Sequence, residues 1–428
     1  FTKQGSGSVT FGVPVAMANS LTVEAGKLGF NAAFGTVSNA TFASSLTVAS
    51  NAILSFGGNS VTQTLSGSLS GTGTLSVASG KLKLSGSATS FGGNVIVSNG
   101  VLELARADQF LSNNSSIRVA AGAVCEVTAR DATGYDVPNT NPIILYGTLK
   151  FLQRDSTGRG IRMYDGSELL LKGTDMDSTH AMDLFKLPII ALVSGTASIR
   201  PLDPANAAQA SMLVRTEHSP KTFDVQASNA VLTVAAPFIG GDAVTALAKV
   251  GPGTLRWTAV NTTASKILVS AGTLEIGDPG RLGAGTSAQP IEIATNAVFR
   301  YDSSASQTLS GTITTSGSFV KSGAGKLTLS GTLTVNSGGA LVVFAVTNSV
   351  DAVVVNGSAL TVNGTIQVLN AARLTGGKTY ILLTSAQALP AGIASKVTVD
   401  QHSWIVETVN TGKTLQIHRL VGTLIQVR

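Results

Sequence analysis

Lys321-Ser322-Gly323-Ala324-Gly325-Lys326-Leu327-Thr328-Leu329 is the stretch that decides the fold, because its pattern occurs in three places in the chain. The shared pattern is Lys-x-Gly-x-Gly-x-apolar-x-apolar, and residues 249–257 and 3–11 repeat it. Two glycines two residues apart permit a tight turn in which the backbone takes positive φ. The alternating residues that follow send one face inward and the other outward. Each copy therefore predicts a turn followed by a β-strand.

Two further motifs recur after these copies. The second is Val269-Ser270-Ala271-Gly272-Thr273-Leu274, with counterparts in 21–30 and 95–104. The third has Ala followed by an apolar residue at its centre, as in Ala297-Val298. Central apolar residues lie about 19 to 25 positions apart, a period typical of solenoids, and about twenty stacked turns would accommodate the chain. We expect these central residues in the core: Val9, Leu28, Ile53, Leu82, Leu102, Val124, Leu255, Leu274, Val298 and Leu327.

The composition supports one elongated stack of short strands. The 428 residues include 47 Gly, and only 12% are charged. Surface helices usually carry Glu and Lys on the solvent face, whereas Ser, Thr and Asn occupy the solvent positions here. We therefore predict an all-β chain with very little helix.

The charge and the cysteine content limit the partners and sites. A net charge of +6 arises from 29 basic and 23 acidic residues that are spread thinly, and Arg159 with Arg162 is only a local pair. This pattern does not predict a nucleic-acid partner. Cys125 is the only cysteine, so the chain forms no internal disulfide and no cysteine-based metal site.

Export is predicted from the start of the chain and from its hydropathy pattern. The sequence begins at Phe1 rather than Met, which we interpret as a mature protein whose export signal has been removed. No apolar run reaches the roughly eighteen residues that a membrane-spanning helix needs. We expect an extracellular or cell-surface location without a membrane span.

Four sections are predicted along the chain. Regular solenoid repeats occupy 1–127 and 223–350. Between them, in 128–222, six prolines mark longer loops and the repeat is hard to follow, so this section is predicted to be an irregular part of the solenoid. From 351 to 428 denser strands with fewer glycine turns predict a small β-rich section that closes the stack or assembles with others.

No catalytic residue, cofactor or metal ligand is predicted. Glycoside cleavage on stacked strands would need acidic residues at matching positions of successive turns, and the sequence analysis finds no such pair. Asp175 and Asp177 resemble only half of a calcium loop, and a solvated acidic turn is the favoured interpretation. The four histidines, which lie far apart, lack the spacing of a zinc site: His180, His218, His402 and His418.

The runs 319–331 and 269–274 resemble the passenger-associated transport repeat, also called the autotransporter-associated β-strand repeat. The resemblance covers about two thirds of the chain and leaves out 128–222. It implies a right-handed parallel β-helix that is exported to the bacterial surface. The tail from Asp351, including residues 376–383, is similar to the segment that closes many such passengers.

Two functions from different classes remain open at this point. The first is a secreted structural protein that assembles with copies of itself into a filament or surface layer. The second is a passenger-like adhesin that binds glycans or host surfaces. Carbohydrate platforms usually need exposed Trp or Tyr, and aromatic residues make up only 5% of this chain, which favours the structural hypothesis.

Both ends of the sequence carry strand-like alternation without a polar cap. Unpaired strand edges template pairing with another chain, and a head-to-tail contact grows without closing. We therefore expect residues 1–11 and 415–427 to form the joints between copies. The predicted assembly residues are Phe1, Val9, Phe11, Leu415, Ile417, Leu420, Leu424, Ile425 and Val427.

Overall fold

The computed structural model describes residues 1–428 apart from 16–18, 32–40, 59–61, 108–114, 134–138, 157–158, 173–181, 185–188, 207–209, 218, 347–348, 351, 357–358, 402–403 and 420–428. The chain forms two compact units, Phe1–Ile239 and Gly240–Arg428. Each unit is built from short strands that stack on one another in parallel.

The strands of the first unit are β1 Thr2–Lys3, β2 Ser8–Phe11, β3 Leu21–Val23, β4 Lys27–Phe30, β5 Thr41–Phe42, β6 Leu46–Val48, β7 Ile53–Phe56, β8 Gln63–Leu65, β9 Leu69–Gly71, β10 Thr74–Val77, β11 Lys81–Leu84, β12 Ser90–Phe91, β13 Asn94–Val97, β14 Val101–Leu104, β15 Ser116–Val119, β16 Val124–Val127, β17 Asn139–Leu145, β18 Thr148–Phe151, β19 Asp155–Ser156, β20 Arg159–Met163, β21 Glu168–Leu171, β22 Met182–Leu184, β23 Ile189–Leu192, β24 Thr196–Pro201, β25 Met212–Val214, β26 Lys221–Val225, β27 Val231–Val234 and β28 Phe238–Gly240, the last of which ends one residue beyond the unit.

The strands of the second unit are β29 Ala246–Val250, β30 Thr254–Trp257, β31 Val260–Asn261, β32 Lys266–Val269, β33 Thr273–Gly277, β34 Arg281–Leu282, β35 Thr286–Ser287, β36 Ile291–Ile293, β37 Val298–Asp302, β38 Gln307–Leu309, β39 Ile313–Thr315, β40 Ser318–Lys321, β41 Leu327–Leu329, β42 Leu333–Val335, β43 Ala340–Val346, β44 Ser349–Val350, β45 Val353–Val355, β46 Leu360–Val362, β47 Thr365–Leu369, β48 Thr379–Ser385, β49 Val397–Val399, β50 Ile405–Val409 and β51 Thr414–His418. Within the described ranges, helix is limited to the 3-10 turns Pro204–Asn206, Ala371–Arg373 and Ile393–Lys396.

In the first unit the chain winds through parallel sheets, one on each side of a turn. One sheet has the strand order β2-β4-β7-β10-β13-β15-β17-β20-β23-β26, and the next side follows β5-β8-β11-β14-β16-β18-β21-β24-β27. A third side is made by β1-β3-β6-β9-β12 in the early turns and by β19-β22-β25-β28 in the later ones. Each strand therefore stacks on the equivalent strand of the preceding turn.

The second unit has the same parallel arrangement and a different end. Its sheets are β29-β32-β36-β39-β42-β46 and β30-β33-β37-β40-β43-β47-β49, with β31-β34 and then β35-β38-β41-β45-β48-β51-β50 on the third side. The last two pairings, β48 with β51 and β51 with β50, are antiparallel. The predicted all-β parallel solenoid with a small C-terminal β part is confirmed.

Six of the ten predicted core residues are buried, and four are not. The buried ones are Leu28, Leu82, Leu102, Leu255, Leu274 and Leu327. The prediction is wrong for Ile53 and Val9, which are exposed, and for Val124 and Val298, which are half-buried.

The third motif lies one residue out of phase with the other two. Register places Leu54 on Leu28, Cys125 on Leu102 and Phe299 on Leu274. A one-residue shift moves a side chain to the other face of its sheet, so the residues after Ile53, Val124 and Val298 enter the core instead. Val9 is in phase with Leu28 but stands on the end strand of its sheet.

Stacking continues through 128–222, where the sequence pattern is hard to follow. In this section Leu149 stacks on Cys125 and Leu169 on Leu149, followed by Ile199. The turns are longer here: Arg200 contacts Glu168, which lies 32 residues earlier, whereas in the second unit Arg256 and Glu275 are 19 residues apart. Longer turns explain why the stack has fewer turns than the predicted number of about twenty.

Candidate functional site

The lysine that opens the repeat pattern is buried and closes its own turn. The Lys249 ammonium donates hydrogen bonds to the carbonyl oxygens of Val250 at 2.8 Å, Gly251 at 2.6 Å and Ala271 at 3.0 Å. Lys3 does the same with Gln4, Gly5 and Ala25. Three carbonyl groups that would otherwise be unsatisfied in a tight turn thus share one cation. The sequence pattern showed that the lysine recurs but did not show this role.

Close stacking explains the glycine of the second motif. Gly272 has a φ of 62°, and a Cβ on it would lie 2.4 Å from the Gly253 carbonyl oxygen and 2.5 Å from that of Gly251. Any side chain would therefore force adjacent turns apart. Within the second unit the pattern occurs at two different corners, because Lys249 is the second-last residue of β29 in one sheet and Lys321 is the last residue of β40 in another. The motif therefore forms turns at more than one corner of the solenoid and does not identify one particular sheet.

Two carboxylates do occupy matching positions, which corrects the sequence analysis. Glu103 stacks on Glu126 on the outer face of the first unit. Lys81 contacts both, at 2.7 Å and 3.1 Å, while Lys83 lies 3.1 Å from Glu103 and Lys150 lies 3.2 Å from Glu126. The stacked pair therefore belongs to a lysine-glutamate ladder.

The electrostatics of this ladder differ from those of a glycosidase pair. Burial by itself would raise the pKa of Glu103, but hydrogen bonds from Lys81 and Lys83 outweigh it and hold that pKa below its usual value. A general acid for glycoside cleavage needs a raised pKa instead. Glu103 is thus suited to pairing with cations and stays ionised.

Two of the three predicted N-terminal assembly residues, Val9 and Phe11, lie on a strand with one free edge among the described residues, and Phe1 precedes β1. Strand β2 pairs with β4 on one side and ends its sheet on the other. Val9 is 39% exposed and Phe1 is 51% exposed, whereas Leu28, stacked directly on Val9, is fully buried. The rings of Phe11, Phe30 and Phe56 stack at 5.4 and 5.8 Å, and Phe1 meets Phe11 edge-on at 6.1 Å. The β2 edge therefore exposes an apolar position whose equivalent on β4, one turn further along the stack, is buried.

The predicted C-terminal residues are placed differently from the expectation. Leu415 and Ile417 are fully buried on β51, and β51 pairs on both edges, with β48 and with β50. These two residues are therefore not on a free edge. The other four, Leu420, Leu424, Ile425 and Val427, lie outside the described residues.

Among the described residues, β46 and β49 of the second unit each pair on one side only, and the sequence analysis missed these free edges. Leu360 and Val362 stack on the buried Leu333 and Val335 but are themselves half-buried. Val397 and Val399 are likewise half-buried on β49. The triplet Leu-Thr-Val, which recurs at 21–23, 46–48, 232–234, 333–335 and 360–362, was a signal that could have identified β46 as one more turn of the stack.

Most of the residues that the sequence analysis considered as metal ligands are not among the described residues. Asp175, Asp177, His180, His218 and His402 lie outside the described residues. Among the residues that are described, no cluster of three or more His, Cys, Asp or Glu could hold a metal ion. In the same part of the chain, no helix has the length and hydropathy needed to cross a membrane.

Comparison with known families identifies the repeat. The passenger-associated-transport-repeat model matches residues 79–104, 247–276 and 319–343, so the chain carries this repeat in three segments. The first match runs from β11 to β14, and the other two begin at β29 and β40. A search of curated proteins found no match. The repeat and the β-solenoid together fit an autotransporter passenger-like surface protein.

Proposed function

We propose that the protein is a non-catalytic structural solenoid of the cell surface or extracellular space that joins copies of itself head to tail. The observation that carries this proposal is the exposure of Val9 beside the buried Leu28 in the same stacked column. A strand added to the free edge of β2 would cover Val9 and Phe11. Strand β2 itself covers the equivalent residues of β4, Leu28 and Phe30, in this way. Strand addition supplies backbone hydrogen bonds and apolar burial together.

A second copy is the occupant that fits this edge. The free edges of β46 and β49 present half-buried Leu and Val residues in register with buried ones, as Val9 does on β2. Pairing one kind of edge with the other is heterologous, so growth does not close and gives a filament. The β51 strand takes no part in this joint, since both of its edges are paired.

Absence of catalysis is part of the proposal. The stacked Glu103 and Glu126 are engaged by lysines, and the lowered pKa of Glu103 suits ion pairing rather than proton donation. These observations support a framework role for the outer charged residues.

Single substitutions at the two edges test the assembly. Val9→Asp and Leu360→Asp should each keep the protein as single chains, with the circular dichroism spectrum of the unchanged protein, because each adds charge at an edge. Val13→Asp is the matched control, since Val13 is 67% exposed and outside the paired strands. Mass photometry and negative-stain microscopy over a concentration series give the readout. Single chains of the unchanged protein at high concentration, or an equal loss in Val13→Asp, would overturn the proposal.

Mixing the two variants tests the head-to-tail direction. Val9→Asp keeps the β46 edge and Leu360→Asp keeps the β2 edge, so an equimolar mixture should form pairs of one copy each while neither variant pairs alone. Pairs formed by either variant alone would indicate a symmetric contact and contradict this arrangement.

A further inference from the structure

Two of the five tyrosines in the chain stack on each other at an outer corner of the first unit. The rings of Tyr146 and Tyr164 lie 4.2 Å apart, centroid to centroid, with 14° between their planes. The guanidinium of Arg118 lies 4.5 Å from the centroid of Tyr146. Both rings are half-buried and Arg118 is exposed. Solvent can therefore reach the edges of these two rings.

Register explains why these side chains meet. Tyr146 and Tyr164 each directly follow a strand of the same sheet, and their amides donate to Val119 and Leu145 at 2.8 and 3.0 Å. The same corner position in the preceding and following turns is occupied by Ala120 and Val193, which bond in the same way. A tyrosine pair in a column of smaller side chains makes a local ridge on the surface.

The ridge is cationic. Arg118, Ile144 and Arg162 occupy one column of three successive strands, so the two arginines are about 10 Å apart along the stack. Both are exposed, and among the described residues neither guanidinium pairs with a carboxylate. The phenol hydroxyls likewise have no hydrogen-bond partner within the described part of the chain. Four polar groups thus face solvent from one ridge.

A shallow hydroxyl-rich groove has its first lining residue, Gly166, two positions after Tyr164. It has a volume of about 300 Å³, and its lining includes Gly166, Thr196, Ser198 and Thr233 from successive turns. Glu168, also in the lining, is paired with Arg200 at 2.9 Å. The groove and the ridge both extend along the stacking direction, because their residues come from consecutive turns.

We propose that this ridge and groove bind an acidic polysaccharide, whose carboxylate or sulfate groups pair with Arg118 and Arg162. Guanidinium groups recognise such oxyanions through paired hydrogen bonds. Sugar hydroxyls match the phenols and the hydroxyl-lined groove, and a linear polymer fits residues supplied by consecutive turns. The exposed large apolar side chains of the described residues lie elsewhere, which disfavours membrane insertion at this surface. A contribution of Tyr stacking to stability is compatible with binding, because only the ring edges and hydroxyls are needed for contact.

Polygalacturonate and heparin are the probes that test this site, with neutral dextran as the uncharged polymer. Arg118→Gln with Arg162→Gln should weaken binding to a charged polymer about tenfold or more. The matched control is Lys27→Gln with Lys326→Gln, which removes the same charge from two other exposed positions and should leave binding nearly unchanged. Biolayer interferometry with immobilised polymer at fixed ionic strength gives the affinities, and the two probes distinguish carboxylate from sulfate recognition.

Tyr146→Phe with Tyr164→Phe keeps the stacked rings and removes only the hydroxyls. It should reduce binding without lowering the melting temperature. The proposal does not rest on head-to-tail assembly, so Val9→Asp should bind as the unchanged protein does. Equal losses in the arginine and lysine double variants, no binding to either acidic polymer, or tighter binding to DNA or to phosphatidylglycerol vesicles would overturn it.

Discussion

The repeat turn at Lys249 and the section around Arg159 satisfy inward-facing carbonyl groups with different cations. Lys249 donates to Val250, Gly251 and Ala271, and it is 1% exposed. Arg159, also 1% exposed, donates from Nε to the Thr133 carbonyl oxygen and from its terminal nitrogens to the Ser115 carbonyl and hydroxyl oxygens. Each cation therefore ties turns together from inside.

The difference between the two lies in the sequence distance of the partners. Two of the three Lys249 partners are one and two residues away, so the device fits into a short pattern that can repeat. The Arg159 partners Thr133 and Ser115 lie 26 and 44 residues away. Hydrogen bonds between residues close in sequence produce a short motif that can be recognised. The long-range hydrogen bonds of Arg159 produce no recognisable pattern in the residues around it.

The largest expected effect tests what the two regions share, the stacked core column. Leu169→Asp in the irregular section and Leu274→Asp in the repeats each place a carboxylate at a buried position and should each cost several kcal/mol of unfolding free energy, about 4 or more. Thr328→Asp, on a half-buried outer position, should cost less than about 1 kcal/mol. Denaturant unfolding followed by circular dichroism gives the values. Equal losses for inward and outward substitutions would show that the assigned strand phase is wrong.

A smaller effect tests the difference between the two cations. Arg159→Met removes hydrogen bonds that join three turns and should cost about 3–5 kcal/mol. Lys249→Met, which loses hydrogen bonds mainly to residues of its own turn, should cost about 2–3 kcal/mol. The exposed Arg162→Met and Lys326→Met are the controls and should change the unfolding free energy by less than about 0.5 kcal/mol. If Lys249→Met behaved like Lys326→Met, the lysine would not be holding the turn together.

The smallest effect concerns Lys221, another buried cation of the first unit, and its dependence on pH. Burial lowers the pKa of Lys221 from 10.5 to about 8, against a weaker opposing influence of Glu217. Between pH 8 and 10.5 the unfolded chain holds this proton and the folded chain does not, so stability should rise with pH by about 1–3 kcal/mol. Burial raises the pKa of Tyr301, which would lower stability above pH 10, so unfolding is best measured from pH 7 to 10.

Lys221→Met provides the control for this pH dependence. The variant should show a flat profile over the same range, because it has no titrating group at this position. A rise of equal size in Lys221→Met would assign the effect to other groups.

Much of the fold was predictable from the sequence, because its determinants are local. The glycine pairs and the alternation of apolar residues predicted turns and strands, and Leu82 and Leu274 were correctly placed in the core. The site was less predictable: Val9, which was predicted both in the core and at a joint, is exposed on the end strand of its sheet, and Leu415 lies inside a sheet.

The sequence by itself determined the repeat, its turns and its parallel stacking, since φ preference and side-chain alternation act within a few residues. Only the tertiary structure decided which residue of each strand faces the core, because pairing between turns sets the register and shifted the third motif from Ile53 to Leu54. It also decided which edges stay open, which cations are buried and that Tyr146 meets Tyr164. Those outcomes depend on what lies one turn above and below a residue, and a local pattern does not carry that information.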